Sequence, residues 1–116
     1  MIVDDSRPMR MIIARALRQS GRDADVLEAE NGVAALAQLE AGPVDLILSD
    51  WNMPEMDGLE FLKAVRASST RTPFVFITTE WTPAQREVAV SCGATALLDK
   101  PFTADSLDSV LRGVGC

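Results

Sequence analysis

Apolar residues occur in five short runs along the chain, and stretches with a helical pattern follow each run. The runs fall at residues 1–3, 25–30, 46–49, 73–77 and 96–98. Most are apolar throughout and bounded by turn residues, which is typical of short strands buried on both faces. The run at 25–30 is the weakest, since Val26 and Leu27 are its main apolar residues. We therefore predict five strands.

Five stretches show the three- and four-residue spacing of an apolar helix face. Ser6 is a predicted N-cap with Pro8 in the first turn, and Thr103 is the predicted N-cap of the last helix. Gly21 and the Gly42-Pro43 pair end the first and second helices. The predicted inward positions are Met9, Ile12, Ile13, Ala16 and Leu17; Val33, Leu36 and Ala37; Leu59, Leu62 and Val65; Ala84, Val88 and Cys92; and Leu107, Val110, Leu111 and Val114.

Strand and helix alternate five times, with short connections between them. This alternation, with strands that are apolar on both faces, indicates a parallel sheet covered by helices on each side. The right-handed crossover rule leaves few possible topologies. We predict a doubly wound α/β fold and, from a length of 116 residues, a single domain spanning residues 1–116.

Polar side chains follow four of the five predicted strands. Asp4 and Asp5 follow the first, Asp50 follows the third, Thr78 and Thr79 end the fourth, and Lys100 follows the fifth. The carboxyl ends of parallel strands lie at one edge of the sheet, where open α/β sheets bind ligands. We therefore expect these side chains to lie close together.

Three crowded carboxylates at this edge require a cation. Two unit charges about 4 Å apart repel by roughly 4 kcal/mol at an effective dielectric near 20. A hard divalent ion relieves this repulsion, and Mg²⁺ is the expected one because it prefers oxygen ligands and bridges carboxylates to phosphate.

The same residue types suit the handling of a phosphoryl group. Asp50, at the middle of the edge, is the candidate nucleophile that would form an acyl phosphate. Lys100 would supply a positive charge to a phosphoryl oxygen, and a threonine hydroxyl would supply a hydrogen bond. The combination predicts a phosphoryl acceptor site.

Composition narrows the chemistry further. The net charge is −6 and no basic run occurs, which argues against nucleic-acid binding. The absence of histidine removes the usual general base and transition-metal ligand. No apolar run approaches the roughly 20 residues of a bilayer span, and no signal peptide pattern is present. We expect a cytoplasmic monomer whose cysteines, Cys92 and Cys116, are reduced.

The sequence resembles the receiver domains of bacterial two-component response regulators, most closely the single-domain chemotaxis type. The resemblance covers essentially the whole chain and implies the flavodoxin-like strand order 2-1-3-4-5. It is carried by Asp4-Asp5-Ser6, by Asp50-Trp51-Asn52-Met53-Pro54 with Met56-Asp57-Gly58, by Thr78, and by Lys100-Pro101-Phe102.

The resemblance implies that Asp50 accepts a phosphoryl group from a sensor histidine kinase. It implies that Asp5, Asp50 and the main-chain carbonyl of Asn52 hold Mg²⁺, with Asp4 acting through a coordinated water. Thr78 and Lys100 would bind the phosphoryl oxygens.

Further features also follow from the resemblance alone. The Lys100-Pro101 bond would be cis. Asn52 and Glu80 would tune the lifetime of the acyl phosphate. The chain would catalyse only its own phosphorylation and dephosphorylation.

One position departs from the family pattern. Leu97 stands where receivers usually carry a tyrosine or phenylalanine that turns inward when the switch threonine moves. Contacts of the phosphoryl group with Thr78 and Lys100 would still bias the surface formed by the fourth helix, last strand and last helix. Trp81 and Phe102 are expected beside that surface, and a flagellar motor switch protein is the expected downstream partner.

Three other kinds of protein share some of these features. Asp50-Trp51-Asn52 resembles a degenerate phosphatase signature, although Asn52 cannot transfer protons. A calcium loop does not fit, because it would need a ligand and a glycine where Pro54 and Glu55 stand. A flavin phosphate bound at the end of the first strand would be repelled by Asp4 and Asp5. The last alternative is a receiver that no longer switches and serves as an interaction module.

Overall fold

The computed structural model describes residues 1–22, 24–68, 71–79 and 82–115. Strands and helices alternate along these residues in the predicted sequence of elements. In chain order they are β1 (Ile2–Val3), α1 (Arg7–Gln19), β2 (Glu28–Ala29), α2 (Gly32–Ala41), β3 (Ile47–Ser49), α3 (Gly58–Ala67), β4 (Phe74–Thr78), α4 (Pro83–Ser91), β5 (Ala96–Asp99) and α5 (Ala104–Gly113).

The five strands form one parallel sheet in the order β2-β1-β3-β4-β5. In register, Val3 lies opposite Ser49 on β3, so β1 and β3 end side by side. At the other side of the sheet, Thr78 lies opposite Asp99. The predicted doubly wound fold and strand order are confirmed, and the carboxyl ends of β1, β3, β4 and β5 share one edge.

Side-chain caps explain where the helices begin. The hydroxyl of Ser6 accepts a hydrogen bond from the amide of Met9, as predicted for the start of α1. Asp57 caps α3 in a reciprocal capping box with Glu60. Thr103 caps α5, also as predicted. These caps begin α1, α3 and α5 immediately after the loops that carry the polar strand ends.

The core lies in two clusters, one on each face of the sheet. Side chains from α1 and α5 pack against one face, with Ile13, Leu107 and Leu111 buried there. Side chains from α2, α3 and α4 cover the other, where the Phe74 ring lies 5.4 Å from that of Phe61 and 5.0 Å from that of Phe76. All five residues of β4 are buried, as a strand covered on both faces requires.

The structure corrects several predicted helix faces. Ile12 of α1 is 52% exposed, Val33 of α2 is 48% exposed and Val88 of α4 is 41% exposed. The buried side chains of α2 and α4 are instead alanines, Ala35 and Ala89. Small residues let these helices approach the sheet closely, and Val33 and Val88 project outward.

Two other features bear on the sequence predictions. The second strand is shorter than predicted, since β2 comprises only Glu28–Ala29. Among the described residues, no helix has both the length and the apolar character needed to cross a bilayer.

Candidate functional site

The loop between β1 and α1 carries two adjacent carboxylates with different environments. Asp4 is 1% exposed. Its amide donates to the carbonyl of Ala29 over 3.1 Å, and its Oδ1 accepts from the amide of Ser6 over 2.8 Å. Asp5 is exposed. The loop thus holds one carboxylate in the interior and presents the other to solvent.

Asp50 follows β3 directly beside this loop. Its amide donates to the carbonyl of Val3 over 2.9 Å, and its Oδ1 accepts from the amide of Trp51 over 2.8 Å. Asp4, Asp5 and Asp50 each offer a carboxylate oxygen within 4.8 Å of the other two. The predicted convergence of these three acids is confirmed.

Lys100 brings a positive charge into this acidic cluster. Its Nζ lies 3.1 Å from Oδ2 of Asp4 and 3.7 Å from Oδ2 of Asp50, and its side chain is 10% exposed. Its amide donates to the carbonyl of Thr78 over 2.7 Å, which ties the ends of β4 and β5 together. The Lys100-Pro101 peptide bond is cis, as predicted.

The environment of Asp50 disfavours its negative charge. Burial raises the pKa of Asp50, and the neighbouring carboxylates of Asp4 and Asp5 raise it further. Lys100 and the amide of Trp51 act in the opposite direction without cancelling the rise. Ionisation of Asp50, the predicted nucleophile, is therefore energetically unfavourable in the metal-free fold.

The start of α3 forms the wall next to Asp50. The amide of Gly58 donates to the carbonyl of Trp51 over 2.7 Å. A Cβ at position 58 would collide with the carbonyl oxygen of Asp50 and lie 2.7 Å from the ring of Phe76. Only glycine allows the helix to approach the backbone of Asp50 this closely.

An open depression lies on the solvent side of the cluster. It is lined by Asp5, Asn52, Met53, Pro54 and Asp57. Asn52 is exposed, so its side chain is accessible to a molecule that approaches from solvent.

The chain was compared with protein families and with known structures. The family model described as response regulator receiver domain matches residues 1–112. The chain belongs to the response regulator receiver domain family. Members of this family are phosphoacceptors of two-component signalling rather than conventional enzymes, and the acidic cluster is consistent with a phosphoacceptor site.

Several relatives match the receiver over nearly its whole length. The chemotaxis protein CheY1 of Helicobacter pylori strain 26695 is 42% identical, covering 98% of this chain and 94% of that protein. A chemotaxis protein CheY homolog of Campylobacter jejuni is 43% identical, covering 98% and 89%. The crystallised CheY4 of Vibrio cholerae is 39% identical with a TM-score of 0.87, covering 96% and 92%.

The remaining predicted receiver residues lie on both faces of the sheet. Leu97 is half-buried, lies opposite Phe76 in register, and packs on the α2, α3 and α4 side. Phe102 is also half-buried but packs on the α1 and α5 side. Thr78 is buried at the end of β4, whereas Thr79 is exposed. Glu80 and Trp81, predicted for tuning and output, lie outside the described residues.

Two contacts in this receiver were not predicted from the sequence. Lys100 was predicted to bind phosphoryl oxygens, and its ion pair with Asp4 was not foreseen. The hydrogen bond that Nη1 of Arg10 donates to the carbonyl of Asp4, over 2.6 Å, was not foreseen either. The only signal was the position of an arginine one turn after a helix N-cap, which also fits an exposed side chain.

Proposed function

We propose that this receiver is a phosphorylation-dependent switch of chemotaxis, in which Asp50 accepts a phosphoryl group from a sensor histidine kinase. The observation that supports this most strongly is the meeting of three carboxylates and one ammonium group at a single edge of the sheet. The similarity to chemotaxis proteins supports the assignment to flagellar motor control.

In the transfer step, a carboxylate oxygen of Asp50 attacks the phosphorus of the donor. The P–N bond of the donor phosphohistidine breaks, the imidazole nitrogen keeps the bonding electron pair and takes up a proton from solvent, and an acyl phosphate remains on Asp50. The Asp50 carboxylate is already oriented by the amide of Trp51. Lys100 and Thr78 are proposed to bind the phosphoryl oxygens, for which Lys100 would exchange its carboxylate partners for the phosphoryl group.

The donor set fits Mg²⁺, because it consists of hard oxygen ligands that lie within reach of one another. Asp5, Asp50 and the main-chain carbonyl of Asn52 would hold the ion, which would supply positive charge to the reacting oxygens. Asp4 is 1% exposed, and its Oδ1 already accepts a hydrogen bond from the amide of Ser6. This occupation supports a role for Asp4 through water rather than as a direct ligand.

The phosphorylated state is proposed to change the surface formed by α4, β5 and α5. Lys100 adjoins the last residue of β5, and its amide is bonded to Thr78 at the end of β4. Contacts of the phosphoryl group with Lys100 and Thr78 would displace β5 and the helices beside it. Leu97 would respond without the usual aromatic ring, and the proposed reader is a flagellar motor switch protein.

Incubation of the chain with Mg²⁺ and a labelled small acyl phosphate tests this function. We expect stoichiometric labelling of the wild-type chain, no labelling after Asp50→Asn, and no labelling without Mg²⁺. Rapid multiple turnovers of a phosphomonoester would instead indicate a phosphatase. With beryllofluoride as the phosphoryl mimic, a purified motor switch protein should bind the treated chain more tightly than the untreated one. Equal binding would indicate a receiver that no longer switches.

A further inference from the structure

Arg10 contacts the acid-bearing loop from the second turn of α1. Its Nη1 donates to the carbonyl oxygen of Asp4 over 2.6 Å, and its Nε pairs with Oε1 of Glu28 over 3.0 Å. Its side chain is 14% exposed. The guanidinium group therefore joins three elements: α1, the loop after β1, and the first residue of β2.

The carbonyl that Arg10 binds belongs to the peptide group between Asp4 and Asp5. The orientation of this peptide plane fixes the N–Cα bond of Asp5 and so constrains the direction in which the Asp5 side chain leaves the backbone. Asp5 is exposed, and among the residues that the structure describes no donor forms a hydrogen bond with its carboxylate. Its place in the acidic cluster thus depends on the backbone, and Arg10 holds that backbone at the Asp4-Asp5 peptide group.

We propose that Arg10 is a positioning residue that keeps the carboxylate of Asp5 in the geometry required for Mg²⁺. This inference rests on the proposed function, since it concerns the same metal site. Arginine suits the task because its planar fork can donate from two nitrogens in fixed directions, and its charge strengthens both hydrogen bonds. Lysine would place a single ammonium group there and could not reproduce both contacts.

A positioning role for Arg10 and simple electrostatics predict opposite changes in Mg²⁺ affinity when Arg10 is replaced. Arg10 is a cation close to an anionic metal site, so loss of its charge alone would strengthen Mg²⁺ binding. Loss of its hydrogen bond to the Asp4-Asp5 peptide group would weaken Mg²⁺ binding. Groups that orient metal ligands typically contribute a factor of about 10 to 100 in metal affinity.

The test is a Mg²⁺ titration followed by tryptophan emission, to which Trp51 beside Asp50 contributes. We expect Arg10→Met to weaken Mg²⁺ binding by about tenfold or more. Arg10→Lys should weaken it as well, although its charge is retained. In phosphoryl uptake from a small acyl phosphate, both variants should require more Mg²⁺ for half-maximal rate while the rate at saturating Mg²⁺ stays close to that of the wild type.

Two control variants separate positioning from loss of stability. Glu28→Gln removes the ion pair but leaves the bond from Arg10 to Asp4, and should bind Mg²⁺ nearly as the wild type does. Arg22→Met breaks another partly buried ion pair, with Asp108, between the loop after α1 and α5. This variant should lose stability without losing Mg²⁺ affinity.

The outcomes distinguish the two proposals. Wild-type or tighter Mg²⁺ binding in folded Arg10→Met would overturn the positioning role and leave the proposed function intact. Equal weakening in Arg22→Met would also overturn it, because the effect would then follow stability. If Arg10→Met does not fold, as judged by circular dichroism, Arg10→Lys decides by the same criteria. Absence of any Mg²⁺ response in the wild type would overturn the proposed function together with this inference.

Discussion

At the scale of single residues, Asp50 combines a functional position with an unfavourable charge. Its pKa is raised by burial and by its carboxylate neighbours, so ionised Asp50 destabilises the metal-free fold. We expect Asp50→Asn to raise the free energy of unfolding by about 1 kcal/mol at pH 7 without metal, the usual size of a stabilising substitution. Urea unfolding in the presence of a chelator measures this, with Asp25→Asn as an exposed control that should change little.

The raised pKa of Asp50 also predicts that the stability gained by Asp50→Asn depends on pH. The folded-state pKa of Asp50 lies above the ordinary value of 3.8, so the native chain binds this proton more tightly than the unfolded chain does. The stabilising effect of protonation is fully present below about pH 3.8 and is lost as the pH rises through the folded-state pKa. The advantage of Asp50→Asn should therefore shrink as the pH falls from 7 towards 4. An advantage that grows on acidification, or a less stable variant at pH 7, would contradict the clustering of charges.

At the scale of elements, the close approach of α3 to β3 shapes the site. Gly58 begins α3, and any Cβ there would collide with the carbonyl oxygen of Asp50. We expect Gly58→Ala to lower the free energy of unfolding by about 1–3 kcal/mol, as overpacking does, and to slow phosphoryl uptake because the backbone of Asp50 must shift. Thermal unfolding and labelling with a small acyl phosphate check both effects.

Gly113 provides a matched control for this substitution. It ends α5, and a Cβ there would meet no atom within 4 Å. Gly113→Ala should leave phosphoryl uptake unchanged and should not lower stability, because alanine is the better helix former. Equal tolerance of alanine at positions 58 and 113 would show that the approach of α3 to Asp50 is not restrictive.

Helix and strand positions were predictable, but the inward face of two helices was not. Spacing selected Val33 and Ala37 for α2 and Ala84 and Val88 for α4, and all four are exposed. The buried side chains of these helices are Ala35 and Ala89. A helical pattern identifies an apolar stripe but does not show how closely the helix approaches the sheet. That distance depends on the neighbouring elements, and here it favours small side chains.

At the scale of the whole molecule, the site follows from topology. A parallel sheet with right-handed crossovers brings the ends of β1, β3, β4 and β5 to one edge, so the grouping of Asp4, Asp5, Asp50 and Lys100 could be inferred from residues far apart in sequence. The contacts of Arg10 and Lys100 could not be inferred. Long side chains can reach several acceptors, and only the packed structure determines which one each of them binds.

The most direct test of Asp50 as the phosphoacceptor is to identify the residue that carries the phosphoryl group. After incubation with Mg²⁺ and a small acyl phosphate, labelled borohydride would reduce an aspartyl phosphate to labelled homoserine, and peptide mapping would locate the label. We expect label at position 50 alone, and only when Mg²⁺ is present. Label at position 4 or 5, or none in the folded wild-type chain, would contradict it.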